Sequence, residues 1–323
     1  MKHAYFLVLP NLHVLDLAGP LQIVATVKEL GIADVRVECI GPQSAVQAFQ
    51  NVMLREVRPL PARLRPGDVL FVVGSKLDKA LMTSQSWREA VAWLRDRVAD
   101  AEQPPLVGGI CTGTFLLAEA GLLDGRLCTT HHRFVQQMRH GFPAAHVLDN
   151  RVCVRDRNIW SSAGVASGID LALHVIADAY GEGAAIQVAR ENAVHLRRFG
   201  SDPELSALLR YRAHGNQLVH TVQDAIVKDL SEGTPCEALA QALGLSSRHL
   251  ARIFAAETGI SMKRYQTELR MELAHRLLAD STLPLERIVE RCGFRSVQGF
   301  RASWNKCEQT TPSAVRRRKT KSA

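Results

Sequence analysis

Two kinds of hydrophobic pattern divide the chain, and the change from one to the other falls near position 200. Before it, short continuous apolar runs alternate with stretches whose apolar residues recur every three or four positions. Positions 5–9, 35–40, 69–73 and 106–110 read as strands, the first and third continuous enough to be covered on both faces. Between them, positions 20–30 carry Leu21, Ile23, Val24, Val27 and Leu30 on a helical stripe ended by Gly31. Positions 84–98 carry Trp87, Val91, Leu94 and Val98 in the same way. This rhythm predicts a mainly parallel sheet with helices on both faces, and such sheets bind ligands just beyond the carboxyl ends of their strands.

After position 216 only helical periodicity remains. Thr234 as cap, Pro235 at the first helical position and Glu237 three residues after the cap predict a helix start. Leu239, Ala240 and Leu243 then line one face, and Gly244 permits a left-handed turn. Ser246 caps a second helix that turns Leu250, Ile253 and Phe254 inward. That is helix, tight turn, helix. The pattern recurs with Leu285, Ile288 and Val289, then Gly293, Ser296 as cap, and Phe300 and Trp304. Between the two units, Tyr265, Leu269, Leu273, Leu277 and Leu278 predict one long helix that fixes their separation. Two recognition helices on one rod suit successive major grooves on one side of a duplex, about 34 Å apart.

Turn chemistry at Gly200-Ser201-Asp202-Pro203 and His214-Gly215-Asn216 marks a connector. The expected organisation is an α/β domain over residues 1–200, a linker over 201–216, an all-α tandem helix-turn-helix domain over 217–318, and a basic tail over 319–323.

Composition adds charge and compartment. From position 216 onward there are 17 Lys and Arg against 11 Asp and Glu, most of the chain's net +8. Arg316, Arg317, Arg318, Lys319 and Lys321 close the sequence, and beside a duplex reader such a run is expected to touch phosphate. Seven cysteines are scattered without a close-set framework, which fits reduced thiols in a cytoplasm. No apolar run approaches the roughly 20 residues that span a bilayer, so no membrane association is expected. His131 and His132 are too close in sequence to serve one tetrahedral metal easily, and neither a metal nor a cofactor is expected.

The richest candidate chemistry is Gly108-Gly-Ile-Cys-Thr-Gly-Thr114, which ends a strand and opens a helix. A nucleophile in a sharp strand-to-helix turn needs small neighbours, which Gly109 and Gly113 supply, and it sits at a helix end that stabilises anions. Cys111 is therefore expected to face a pocket with a lowered pKa. A cysteine simply buried beside a strand is the other reading of the same spacing.

Two resemblances extend these readings. The run 243–254, Leu-Gly-Leu-Ser-Ser-Arg-His-Leu-Ala-Arg-Ile-Phe, with Cys292-Gly-Phe-Arg-Ser and Phe300, resembles the DNA-binding domain of AraC-type transcriptional regulators. The resemblance implies that Ser247, Arg248, Ala251 and Arg252 lie on the groove face of the first recognition helix. Val297, Gln298, Gly299, Arg301 and Ala302 lie on that of the second. Departures sit in the second unit: Ala302 stands where the family usually has Arg, and Gly299 weakens the helix by about 1 kcal/mol relative to Ala.

Cys111-Thr-Gly, Asp16-Leu-Ala-Gly-Pro, Thr129-Thr-His and the run 162–170, Ser-Ala-Gly-Val-Ala-Ser-Gly-Ile-Asp, resemble the amidotransferase-like domain of the PfpI superfamily. That implies a flavodoxin-like sheet of the class I glutamine amidotransferase kind. It also implies Cys111 as elbow cysteine, Asp16 as the acid facing it and His131 nearby, with Gly74, Ser75 and the Thr112 amide forming the oxyanion region. Together the two domains resemble the GlxA family of regulators. The family implies promoter DNA and RNA polymerase as partners, a homodimer in the cytoplasm at the nucleoid, activation as the sign of control, and a small-molecule effector such as an amino acid or quaternary amine. Protease-like branches place a histidine directly after the elbow cysteine, where this chain has Thr112, so the pocket is expected to bind without catalysis. The Cys-Thr-Gly form is shared with isonitrile-hydratase-like members, which keeps a cysteine-dependent hydratase or hydrolase fused to a DNA-binding module as one alternative. A thiol redox sensor is another.

Overall fold

The computed structural model describes residues 1–99, 104–194, 206–281, 283–307 and 311–313. The chain divides into two compact units, Met1–Glu204 and Leu205–Ala323. The stretch 314–323, which holds the basic tail, lies outside the described residues, as do residues 201–205 of the expected linker.

The first unit runs β1 His3–Leu7, α1 Val14–Glu29, β2 Arg36–Ile40, β3 Ala45–Gln47, β4 Met53–Arg55, β5 Val69–Val72, α2 Lys79–Met82, α3 Gln85–Leu94 and β6 Leu106–Ile110. It continues with α4 Gly113–Glu119, β7 Leu127–Cys128, α5 Val135–Gly141, β8 His146–Val147, β9 Cys153–Asp156, β10 Ile159–Ser162, α6 Ser167–Tyr180 and α7 Glu182–Glu191. Six strands form the main sheet in the order β2-β1-β5-β6-β10-β9, parallel throughout except for β9 at the edge. The period of two along β1 sorts its side chains between layers: Ala4, Phe6 and Val8 join the core under α1, α6 and α7, while Leu7 and Leu9 join the core under α3, α4 and α5. The three-layer α/β fold follows from runs apolar on both faces, as the sequence pattern predicts.

Boundaries shift where tertiary packing overrides local signals. Helix α1 begins at Val14 rather than Pro20, which lies inside it and packs its ring carbons toward the Gly168 position of α6. Proline within a helix gives up the bond to the carbonyl four residues back and crowds that carbonyl with its ring; the early start accepts this and brings Asp16 into the first turn. Trp87, Trp93 and Trp160 are buried in this unit, as expected.

The second unit is helical: α8 Ala207–Arg210, α9 Gln217–Lys228, α10 Cys236–Ala242, α11 Ser247–Thr258, α12 Met262–Asp280, α13 Leu285–Arg291 and α14 Val297–Cys307. Ser246 and Ser296 cap α11 and α14, accepting from the His249 and Gly299 amides. The expected cap at Thr234 is corrected: its hydroxyl donates to Asp229 Oδ2 at 2.6 Å, and α10 starts after Pro235 with no side-chain cap. Part of the expected linker is also core. Ala207 and Tyr211 are buried, the Ala207 amide donates to Glu272, and the Tyr211 hydroxyl donates to Glu268 at 2.8 Å, both carboxylates lying on α12.

Helix α12 is the one long helix expected between the two units, and it serves two cores. Met262, Tyr265 and Leu269 enter the core that α9, α10 and α11 share, whereas Met271, Ala274 and Leu278 enter a separate core with α13 and α14. At about 100° per residue these two stripes lie about 180° apart around the helix. Leu273 and Leu277 are only half-buried at the margin of the second core. One rod of about 28 Å thus carries a helix-turn-helix on each side.

Candidate functional site

The candidate site is built at the carboxyl ends of β1, β5, β6 and β10, where the parallel strands deliver four chain reversals side by side. Asp16 comes from the first turn of α1, Gly74 and Ser75 follow β5, Cys111 and Thr112 follow β6, and Gly164 and Val165 follow β10.

Cys111 occupies the left-handed region, with φ of 56°, which an L side chain adopts only under constraint. Three bonds to its neighbours supply that constraint. Its amide donates to the Ser162 carbonyl at 3.0 Å, the Thr130 hydroxyl donates to its carbonyl at 2.9 Å, and the Thr114 amide reaches the same oxygen at 3.4 Å. The strand-to-helix elbow expected from sequence is therefore present and held from three sides. Its exposure is corrected: Cys111 is 3% exposed, because the loop after β10 closes over it. A methyl group at Gly164 would overlap the Cys111 Cβ and Sγ, so only glycine lets that loop approach so near.

Asp16 is completely buried, and burial raises its pKa above the ordinary carboxylate value. Three interactions work against the rise: the Val165 amide donates to Oδ1 at 2.5 Å, the Cys111 thiol bonds to the carboxyl, and the His13 ring lies nearby. Val165 itself has φ of 50°, a conformation a β-branched residue avoids, and its charged hydrogen bond to Asp16 is what fixes it. A methyl group at Gly74 would sit 2.6 Å from Asp16 Oδ2 and 2.8 Å from Cys111 Cβ, which places the acid and the cysteine on either side of that glycine. Asp16 Oδ2 meets no hydrogen-bond partner of ordinary geometry, and the buried Ser75, Thr114 and Ser162 hydroxyls share that condition. Polar atoms buried in this way ordinarily find a partner, so a group of them around one cysteine suits a bound polar molecule.

The Ser75 backbone is already engaged. Its amide donates to Thr112 Oγ1 at 2.9 Å, and that hydroxyl donates back to the Ser75 carbonyl at 2.6 Å. The expected oxyanion donor at Ser75 is thus taken by Thr112, the residue directly after the elbow cysteine. His131 is half-buried near the same edge, its Nδ1 accepting from the Arg133 amide at 3.3 Å. Burial pushes its pKa down to about 4, helped by His132, Arg133 and His13.

Sequence reasoning missed His13, Thr130, Gly164 and Val165 as members of the site. His13 interacts electrostatically with both Asp16 and His131 and sets its ring edge-on to Phe49 at 5.6 Å. The signal for Gly164 and Val165 was available, since they follow an apolar run, 159–160, that was not read as a strand.

In the helical unit, the expected groove positions lie on the outside of α11 and α14. Arg248, Ala251 and Arg252 on α11, and Gln298, Gly299, Arg301 and Ala302 on α14, are exposed; Ser247 and Val297 are half-exposed at the helix starts. Leu250 and Phe254, and Phe300 and Trp304, turn the opposite faces into the two cores. The Arg252 guanidinium meets His249 Nδ1 at 3.3 Å, which steadies one long cationic side chain on the outer face. Gly299 stands third in α14, where its amide bonds to the Ser296 hydroxyl at 3.0 Å, so its helix-weakening effect falls on a capped turn.

Comparisons with known proteins agree with this geometry. The DJ-1/PfpI family profile matches residues 2–178, and a helix-turn-helix domain profile matches residues 239–318. The HTH-type transcriptional regulator CdhR of Pseudomonas aeruginosa is 30% identical over 254 residues, 78% of this chain and 73% of that protein. The HTH-type transcriptional regulator GlxA of Rhizobium meliloti is 30% identical over 226 residues, 66% of this chain and 65% of its own length. The crystal structure of a THiJ/PfpI family protein from Pseudomonas syringae superposes with a TM-score of 0.51 at 22% identity, covering 72% of this chain and 87% of that one, a likeness of fold. An elbow-cysteine α/β domain joined to a tandem helix-turn-helix defines a class of DNA-binding transcriptional regulators with a sensing domain. The chain belongs to the DJ-1/PfpI family and carries the AraC-type helix-turn-helix domain of that family's transcriptional regulators.

Proposed function

We propose that the pocket of Asp16, Gly74, Ser75, Cys111, Thr112 and His131 holds a small effector without consuming it. The effector's occupancy shifts the population of arrangements in which α11 and α14 engage promoter DNA. The observation that carries the reading is the buried Asp16 carboxyl, engaged by the Cys111 thiol yet with no hydrogen-bond partner of ordinary geometry at Oδ2, in a site whose Ser75 amide is already bound by Thr112. A carboxyl poised in this way suits a ligand with an N–H donor, an amino acid or protonated amine among them, while a quaternary amine would be held there by charge alone. On the DNA side, Ser247, Arg248, Ala251 and Arg252 read the first groove, and Val297, Gln298 and Arg301 the second. The working form is a cytoplasmic homodimer that contacts RNA polymerase and activates transcription.

The test is thermal unfolding of the full chain against a panel of small metabolites, followed by mass analysis of each stabilising compound. A ligand at 100 times its dissociation constant adds about 2.7 kcal/mol, which moves the midpoint visibly. The expected result is a compound that stabilises, survives unchanged, and loses its effect on Asp16→Asn and Cys111→Ser chains whose DNA affinity without the compound stays that of the wild type. A compound that is consumed would make Cys111 a nucleophile and overturn the non-catalytic reading.

A further inference from the structure

The two helix-turn-helix units pack on opposite sides of α12 and have separate cores, so the rod alone would leave their mutual setting to the bending and twisting of one helix. A second tie lies at mid-rod. Arg270 falls between the two apolar stripes, and its Nε donates to the Leu230 carbonyl at 3.0 Å, in the turn that follows α9 on the side of the first unit. Its guanidinium also lies 6.0 Å from the ring centre of Phe294, in the turn of the second unit. The main chains of the two turns meet at the same place. A methyl group on Gly293 would come 2.7 Å from the Leu230 carbonyl oxygen and 2.8 Å from an Arg270 terminal nitrogen, and would strike the Ser231 carbonyl as well. Gly293 has φ of 75°, so glycine is required there twice, for the turn and for the approach. Gly233 brings a third segment to the same guanidinium, where a methyl group would lie 2.5 Å from the terminal nitrogen.

Arginine suits this place because its planar head presents five donors in a fixed fork and stays charged, whereas lysine offers a single flexible point. We propose that Arg270 rivets the turn after α9 to the turn before α14, and thereby sets the distance and rotation between α11 and α14. The protein then selects DNA by the spacing of two contact elements as well as by their sequence. Arg270 is a positioning residue: it lies at mid-rod among the turns, and it acts through where the recognition helices point. The inference rests on the reading that both helices engage one duplex.

The experiment uses the full chain and a duplex selected by the wild type from a random pool, with its two contact elements located by hydroxyl-radical footprinting. Affinity is measured on that duplex, on derivatives with one to five base pairs inserted between the elements, and on a duplex that keeps only the first element. The wild type is expected to lose affinity at least about tenfold on insertion. Arg270→Leu and Arg270→Lys chains are expected to lose a similar factor on the selected duplex, to bind the single-element duplex as the wild type does, and to show a flattened dependence on insertion. Gly293→Ala, which disturbs the same junction from the other side, should flatten it too. Unchanged spacing dependence in an Arg270 variant with wild-type circular dichroism and Tm overturns the proposal. So does a loss on the single-element duplex equal to that on the full one, which would make Arg270 a general support of the fold. A wild type that selects no duplex, or footprints only one element, would instead overturn the two-groove reading on which the inference stands.

Discussion

The proposed effector site and the proposed DNA face of this protein are built by opposite means. Around the pocket, a buried acid, a cysteine at φ of 56° and a valine at φ of 50° are pinned by short bonds to the ends of four strands. Across the outer faces of α11 and α14, Arg248, Arg252, Gln298 and Arg301 stand exposed on ordinary serine-capped helices. The difference matches the partner proposed for each. A small molecule offers few contacts, so the site that orders it must be shaped in advance at the expense of folding stability. A duplex offers a large charged surface, so its reader needs only helices at the right separation and side chains free to reach. Substitutions in the pocket should therefore act on stability and sensing together, while substitutions on the groove faces should act on DNA binding alone.

The largest expected effect tests the first half of that contrast. Gly164→Ala places a methyl group against the Cys111 side chain at a backbone φ of 91°. Overpacking and strain together should cost about 3 kcal/mol, a fall of roughly 10 °C in the transition of the α/β unit by calorimetry. Gly183→Ala, in the first turn of α7 with open space around it, is the control and should leave the transition where it is or raise it slightly. Equal behaviour of the two variants would mean that the loop after β10 is not held against Cys111.

The second half is tested by removing the α11 guanidinium groups. Arg248→Ala and Arg252→Ala should each weaken binding to a selected duplex by about 1–3 kcal/mol if they pair with guanine, with no change in either unit's Tm. Competition with unrelated DNA of the same length sharpens the result: a base-reading arginine loses more on the selected duplex, whereas a phosphate-binding one loses equally on both.

How far each region could be read in advance differs in the same way. The helix-turn-helix units were legible nearly residue by residue, because glycine turns, serine caps and three-to-four spacing are local signals, and Leu250, Phe254, Phe300 and Trp304 are all buried as their spacing requires. Helix α12 was legible as one long helix, but its division between two cores was not, because which core claims Met271 and Ala274 is decided by α13 and α14, not by the rod's own sequence. In the α/β unit the main parallel strands and the elbow at Cys111 were legible. The closure of the elbow was not, since Gly164 and Val165 lie more than fifty positions away and reach Cys111 only through the pairing of β10 with β6.

The smallest expected effect, and the one that resolves the pocket most finely, is on pH dependence. Asp16 has its folded pKa raised by burial above 3.8, so the folded state binds a proton more tightly there than the unfolded chain does. Its contribution is favourable at acid pH and is lost as pH rises through the raised value. His131 moves the other way. Its folded pKa lies near 4 against an ordinary 6.5, so its contribution is present above 6.5 and is lost as pH falls toward 4. The two slopes partly cancel in the wild type, and single variants should uncover them. Asp16→Asn keeps an acceptor for the Val165 amide but has no charge to bury, so its Tm relative to the wild type should climb as pH rises through the Asp16 pKa and then level off. His131→Gln should hold its Tm better than the wild type between pH 6.5 and 4. Parallel curves for Asp16→Asn and wild type would mean that the carboxyl is hydrated rather than enclosed, and with that the unpartnered oxygen that invites a ligand would disappear from the account of the pocket.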